Sequence, residues 1–521
     1  MRVFRFSVVL VFVFGLALMG GCSDSSSGLS ERSFDLLIKN GRVMDPATGF
    51  DQTAHVLVVA GKISEIVPVG QDSSLDYAEA VPDKVLDATG LVVAPGFIDI
   101  HSHEGVDEET FEKTMRAHLQ DGVTTVIGGN CGGHLYPLDD IFEFLEMQGL
   151  LTNFASYAGH IVFRYMVGIE DPLAAATPDQ IDKMVQLAEG EMAAGAFGIS
   201  YGLAYTPGAS YDEVLALGQA AARDGGLTTA HGRAAGAIPE ALAALEEMIQ
   251  LVRDTGAPHQ YSHIGSMLAY GKNMDMGLER IAQAQAEGLS INGDVYGYTA
   301  ASTMMSAEIF SEGVFERLDC TPEDMEVADD VVKNGIILLR VGDRFESAEQ
   351  FHGIRHGILA GDINDVTLIA HIMDPEKVRF AMRSQYICSC SDGSANSGDA
   401  GHPRVAGAFS RFLGKWVRDE GTTDLMTALE KTSTMAAHIL GLQSKGTLVP
   451  GSDADITIFD YSTITDRADF GVHYLDPSTG IAYVIVNGAV ALADGSVVED
   501  VRAGRPIRRT WKVPGYLATV D

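Results

Sequence analysis

Leu91-Val92-Val93-Ala94-Pro95-Gly96-Phe97-Ile98-Asp99-Ile100-His101-Ser102-His103 is an apolar run ending in two histidines one residue apart. Read as a strand over 92–101, it projects His101 and His103 to one side from its C-terminal end. Two neutral imidazoles on one face are a natural start for a zinc-type site. Such a pair is common in purely structural roles, so its weight depends on what the rest of the chain repeats.

The pattern does repeat. Apolar runs at 92–101, 123–131, 153–160, 197–203, 227–232, 258–264, 289–298 and 384–391 alternate with amphipathic stretches such as 110–120, 178–194, 211–223 and 237–255. Eight strand–helix alternations predict a closed (β/α)8 barrel, a TIM-like α/β fold, rather than an open sheet. The chemistry of such barrels sits at the C-terminal ends of the strands. Here those ends carry His101 and His103, Cys131, His160, Tyr201, His231, His263, Tyr296 and Asp392.

The barrel is expected over 94–444, with an insert at 299–383 that acts as a lid or specificity element, or as a structural subdomain. Short strands and turns fill 34–93 and 445–506. Neither block buries a core alone, so the two are expected to pair into a small β-sandwich from both chain ends. Residues 507–521 read as a C-terminal tail.

The first 21 residues read as a signal peptide, with Arg2 and Arg5 leading an apolar stretch from Val8 to Met19. Leu18-Met19-Gly20-Gly21-Cys22 resembles a bacterial lipobox, which makes Cys22 the lipidated residue, and 22–33 a flexible tether. That predicts an exported protein held on a membrane by its lipid, on the periplasmic or outer-membrane side. The apolar core is short for a spanning helix. Formal net charge is −35, and a surface this acidic repels nucleic acid and anionic headgroups.

Five cysteines, Cys22, Cys131, Cys320, Cys388 and Cys390, show no disulfide framework. A lone exported thiol at Cys131 is a liability unless it is buried or metal-bound. Cys388 and Cys390 read as packing residues, with Cys390 the one that could touch a metal.

Several motifs together resemble the metal-dependent amidohydrolases, and within them the D-aminoacylases (N-acyl-D-amino-acid deacylases). They are Pro95 to His103, Gly129-Asn130-Cys131-Gly132, Gly198 to Gly208, His231-Gly232-Arg233, Tyr261-Ser262-His263, Asp294-Val295-Tyr296-Gly297-Tyr298, Ser391-Asp392-Gly393 and Gly401-His402-Pro403-Arg404. The resemblance implies that Cys131, His231 and His263 hold one zinc, and that His101, His103 and Asp392 form a second, weaker position, giving one or two ions per subunit. Thiolate with imidazole suits zinc on chemical grounds too. Asp392 is expected to take a proton from the attacking water and pass it to the leaving nitrogen. Arg404 and Tyr296 are expected to bind the substrate's α-carboxylate.

Two departures stand out. The subgroup's lysine after the sixth-strand histidine is missing from His263-Ile264-Gly265-Ser266, so Lys272 is the nearest replacement. No basic residue occupies Met305-Ser306-Ala307-Glu308, and Glu308 would favour a neutral or basic substrate side chain. The expected reaction is zinc-dependent hydrolysis of N-acyl-D-amino acids to a carboxylate and a D-amino acid. Its rivals are a dipeptidase, a cyclic-amide or lactam hydrolase on the same site, and a non-catalytic binding lipoprotein.

Overall fold

Gly96 divides the opening run between two sheets. The computed structural model describes residues 34–71, 85–104, 107–396 and 400–518, so the signal, tether and Cys22 readings lie outside the described residues. Val92–Pro95 pairs antiparallel with Ile456–Phe459 and parallel with Leu36–Asp45, whereas Phe97–Asp99 begins a different, parallel sheet beside Val123–Gly128. A Cβ on Gly96 would stand 2.2 Å from Thr124 Oγ1, so only glycine lets the chain pass this close. The single strand expected over 92–101 is therefore two; Pro95-Gly96 was the punctuation that marked the change.

The sheet on the near side has nine strands and draws on both chain ends. Inward residues Ile38, Val56, Val58, Val93, Ile456 and Ile485 give it a core of its own. On the far side, eight strands run parallel. Their order is Phe97–Asp99, Val123–Gly128, Asn153–Ser156 continuing through Ala158–Gly159, Gly198–Gly202, Leu227–His231, His259–Tyr261, Ile291–Val295 and Ile387–Ser389. A parallel bridge between Ser102 and Gly393 joins the last strand to the first. Asp392 N–H donates to the His101 carbonyl at 2.8 Å and His103 N–H to the Gly393 carbonyl at 2.9 Å. The barrel closes at its functional end.

The helices begin and end where local chemistry dictates. Asp107 caps Glu108–Gln120, Thr177 and Gln180 form a capping box ahead of Pro178–Ala194, and Ser210 caps Tyr211–Asp224. The segment expected as an insert splits in two. Strands Ala301–Met304, Met325–Val327 and Thr367–Ala370 form an antiparallel sheet over a core including Phe310, Phe345 and Phe351. Helix Pro375–Arg383 instead packs Val378, Ala381 and Met382 into the barrel core. The tail straps the opposite end of the barrel: Ile507, Arg509 and Val513 donate backbone N–H groups to the carbonyls of Phe154, Gly195 and Gly225. Among the described residues, no helix is long and apolar enough to cross a membrane.

Candidate metal centre

At the C-terminal mouth, His101, Cys131, His263 and Asp392 converge, with one donor atom from each lying within 4.8 Å of all the others. His101 Nε2 is 3.5 Å from Cys131 Sγ and 3.3 Å from Asp392 Oδ1, and His263 Nε2 is 3.4 Å from the sulfur. His103 Nε2 lies 3.1 Å from the same Asp392 oxygen. The His231 ring meets His263 edge-on at 4.5 Å, and among the described residues neither of its buried nitrogens has a hydrogen-bond partner. The tight group thus takes members from both expected ligand sets rather than one.

Backbone conformation explains that mixing. Cys131 (φ 51°), His263 (φ 32°) and Asp392 (φ 51°) are all left-handed. The conformation costs a non-glycine residue about 1–3 kcal/mol and tends to occur at functional sites. Strand alternation ends at these residues and no longer decides where their side chains go.

These donors suit zinc. Bonds of about 2.0–2.3 Å put tetrahedral neighbours roughly 3.3–3.8 Å apart, and the contacts of His101 with Cys131 and Asp392 and of His263 with Cys131 fall in that span. A bound ion would give an orphaned His231 nitrogen the partner that a buried imidazole needs. Burial raises a thiol, but the charges of His101 and His263 outweigh it and hold Cys131 well below its ordinary value, toward the thiolate a metal needs. Burial, then His263, lower His231 and keep its imidazole neutral.

Arg404 reaches the same cavity. Its Nη1 is 2.7 Å from Asp392 Oδ2, its guanidinium lies 4.9 Å from the Tyr296 ring centre, and Nη2 donates to the Ser302 carbonyl at 3.2 Å. Burial would raise Asp392, but Arg404 first, then His263 and His101, hold it well below the usual carboxylate range. The cavity encloses about 430 Å³, and among the described residues Arg404 is the only Arg or Lys lining it. Met267, Tyr270, Ile309, Phe310, Leu318 and Ile372 give it an apolar wall, the last four from the insert.

Some expected contacts are absent. Lys272 is exposed at the N-terminal end of helix Asn273–Ala286 and does not line the cavity, because the turn after Ile264–Leu268 carries it outward. Glu308 pairs with Arg355 at 3.2 Å and is likewise off the wall. Cys390 donates its thiol to Asp294 at 3.1 Å. His160 and Tyr201 turn to the helix layer: His160 Nε2 meets Glu213 Oε1 at 2.7 Å, and the Tyr201 hydroxyl donates to the Val214 carbonyl.

Sequence reasoning gave no role to Tyr205, whose ring lies 4.7 Å from His231 and whose hydroxyl meets Thr303 Oγ1 at 3.2 Å. Nor did it find Ser266, 2.9 Å from His263 Nδ1, or Asp294 behind His101. A carboxylate inside the apolar strand 289–298 was the one available signal.

A closed parallel barrel with thiolate, imidazole and carboxylate donors at its C-terminal mouth defines a class of metal-dependent hydrolases. The chain belongs to the amidohydrolase family, which it matches over 84–319 and 387–492; the unmatched stretch between is mostly the insert. It is 30% identical to the N-acyl-D-glutamate deacylase of Alcaligenes xylosoxydans xylosoxydans over 93% of this chain and 99% of that protein. It is also 30% identical to the same organism's D-aminoacylase, over 92% and 98%. The crystal structure of Bordetella bronchiseptica N-acyl-D-glutamate deacylase, complexed with zinc and a phosphonate mimic of the tetrahedral intermediate, superposes with a TM-score of 0.77. That match has 27% identity and covers 92% of this chain and all of the other.

Proposed function

We propose that this chain is a zinc-dependent hydrolase of N-acyl-D-amino acids, releasing a carboxylate and a D-amino acid. One observation carries the reading. Cys131, His263 and Asp392 of the donor cluster share one cavity with a carboxylate-matching arginine, joined by the 2.7 Å contact between Arg404 and Asp392.

Cys131, His231 and His263 would hold the catalytic ion, with His101, His103 and Asp392 available to a second. When bound, zinc supplies Lewis acidity toward the acyl carbonyl and a lowered pKa for water. Asp392, kept ionised among its cationic neighbours, accepts a proton on its carboxylate from the attacking water and returns it to the leaving nitrogen. Arg404 and the Tyr296 hydroxyl beside it grip the α-carboxylate and fix which face of the amide meets the metal donors. With that arginine engaged, a second carboxylate finds no lining Lys or Arg among the described residues, so a neutral side chain and acyl group fit the apolar wall.

Incubating zinc-loaded protein with acyl-D- and acyl-L-amino acids tests this. Release from acyl-D-leucine exceeding that from acyl-D-glutamate and acyl-L-leucine is expected. Activity confined to peptides or cyclic amides would contradict it. The Leu18–Cys22 lipobox supports export and lipid anchoring. Cys22→Ala should then move the protein from the membrane fraction to the soluble one.

A further inference from the structure

Asp294 lies behind the metal centre, fully buried, and gathers donors from three strands. Its Oδ1 receives His101 Nδ1–H at 3.2 Å, the His263 backbone N–H at 2.6 Å and the Cys390 thiol at 3.1 Å. Its Oδ2 receives Gln260 Nε2–H at 3.1 Å. An ionised carboxylate only accepts, so Nδ1 of His101 must carry the proton. That reserves Nε2, the nitrogen facing Cys131 and Asp392, for a metal. The backbone bond to His263 falls on a residue held at φ 32°, a conformation that lasts only where its surroundings enforce it. One side chain therefore sets the tautomer of one ligand and the strained backbone of another.

We propose that Asp294 is a positioning residue for the metal centre, aligning His101 and His263 for zinc without touching substrate or reacting atoms. The inference rests on the metal-centre reading above. A ligand histidine's acidic partner is worth about 10- to 100-fold in metal affinity when replaced. Asp294→Asn keeps the shape and can keep Oδ1 as an acceptor. Gln260 Oε1 has no hydrogen-bond partner among the described residues, so a turned Gln260 amide can accept from the new amide group. The variant thus removes the charge with little loss of packing.

The experiment is a competition titration of zinc between metal-free protein and a chromophoric chelator, alongside the melting temperature of the metal-free protein. For Asp294→Asn, a dissociation constant 10- to 100-fold weaker with a near-unchanged metal-free melt is expected, with a shifted ligand-field spectrum after cobalt substitution. Wild-type affinity within twofold in a folded variant overturns the inference and leaves the metal centre standing. Failure of the wild-type protein itself to bind zinc overturns both. If Asp294→Asn does not fold, Gln260→Ala replaces it: removing the Oδ2 donor should weaken zinc severalfold, and unchanged affinity counts against the proposal.

Discussion

Arg404→Lys keeps a positive charge beside Asp392 but loses the planar fork. The native guanidinium is buried, 2.7 Å from Asp392 and stacked 4.9 Å from the Tyr296 ring centre. A hydrogen bond to a charged group is worth about 1.5–3 kcal/mol, and a desolvated cation–π contact up to about 2. Losing one arm of a bidentate carboxylate grip and part of the stacking should cost about 2–4 kcal/mol of transition-state binding. At 1.36 kcal/mol per decade, kcat/KM falls about 30- to 1000-fold. The assay compares an acyl-D-amino acid with its primary amide, which has no carboxylate to grip. The variant should lose that factor on the acid and stay within about threefold of wild type on the amide. An equal loss on both would show that Arg404 acts through Asp392 alone and would refute the carboxylate assignment.

Burial holds His259 neutral, down to about 3, so the unfolded chain takes up a proton there below about 6.5 that the folded protein refuses. Stability from this group is therefore intact above 6.5 and falls with pH, by about 2 kcal/mol between 6.5 and 4.5. Asp99 and Asp121, raised by burial to about 7, act with the opposite sign. The observable is thus the difference in urea-derived stability between wild type and His259→Gln at the two pH values, and equal losses would contradict the assignment. Gly202→Ala places a Cβ 2.2 Å from the Cys131 carbonyl oxygen. Displacing that loop should lower turnover about 100-fold with unchanged far-UV circular dichroism. Zinc at a thousandfold excess over its Kd should add about 4 kcal/mol to stability, and chelation should remove it, read as a shift in Tm.

Much of the architecture was written in local pattern. Eight apolar runs, with amphipathic stretches between them, gave the barrel and the positions of its donors. Gly96 was misread because an apolar run looks the same whether it serves one sheet or two; the Pro95-Gly96 pair was the one local signal, and the absent Cβ beside Thr124 shows what it was for. The donors themselves were legible, but the close packing of His101, Cys131, His263 and Asp392 across the two expected ligand sets was not. Alternation predicts direction only while the backbone is extended, and Cys131, His263 and Asp392 leave that conformation where it matters most. Lys272 looked near His263 along the chain, yet a five-residue helix and a turn carry it outside. Asp294 showed only as a charge in an apolar strand, because its partners come from distant segments.

The central claim is that the thiol of Cys131 ligates a metal at the barrel mouth. Cobalt(II) loaded into the protein should give a sulfur-to-metal charge-transfer absorption that persists in Cys388→Ser and Cys390→Ser and vanishes in Cys131→Ser. The same band surviving Cys131→Ser, or disappearing with Cys390→Ser instead, would contradict the account.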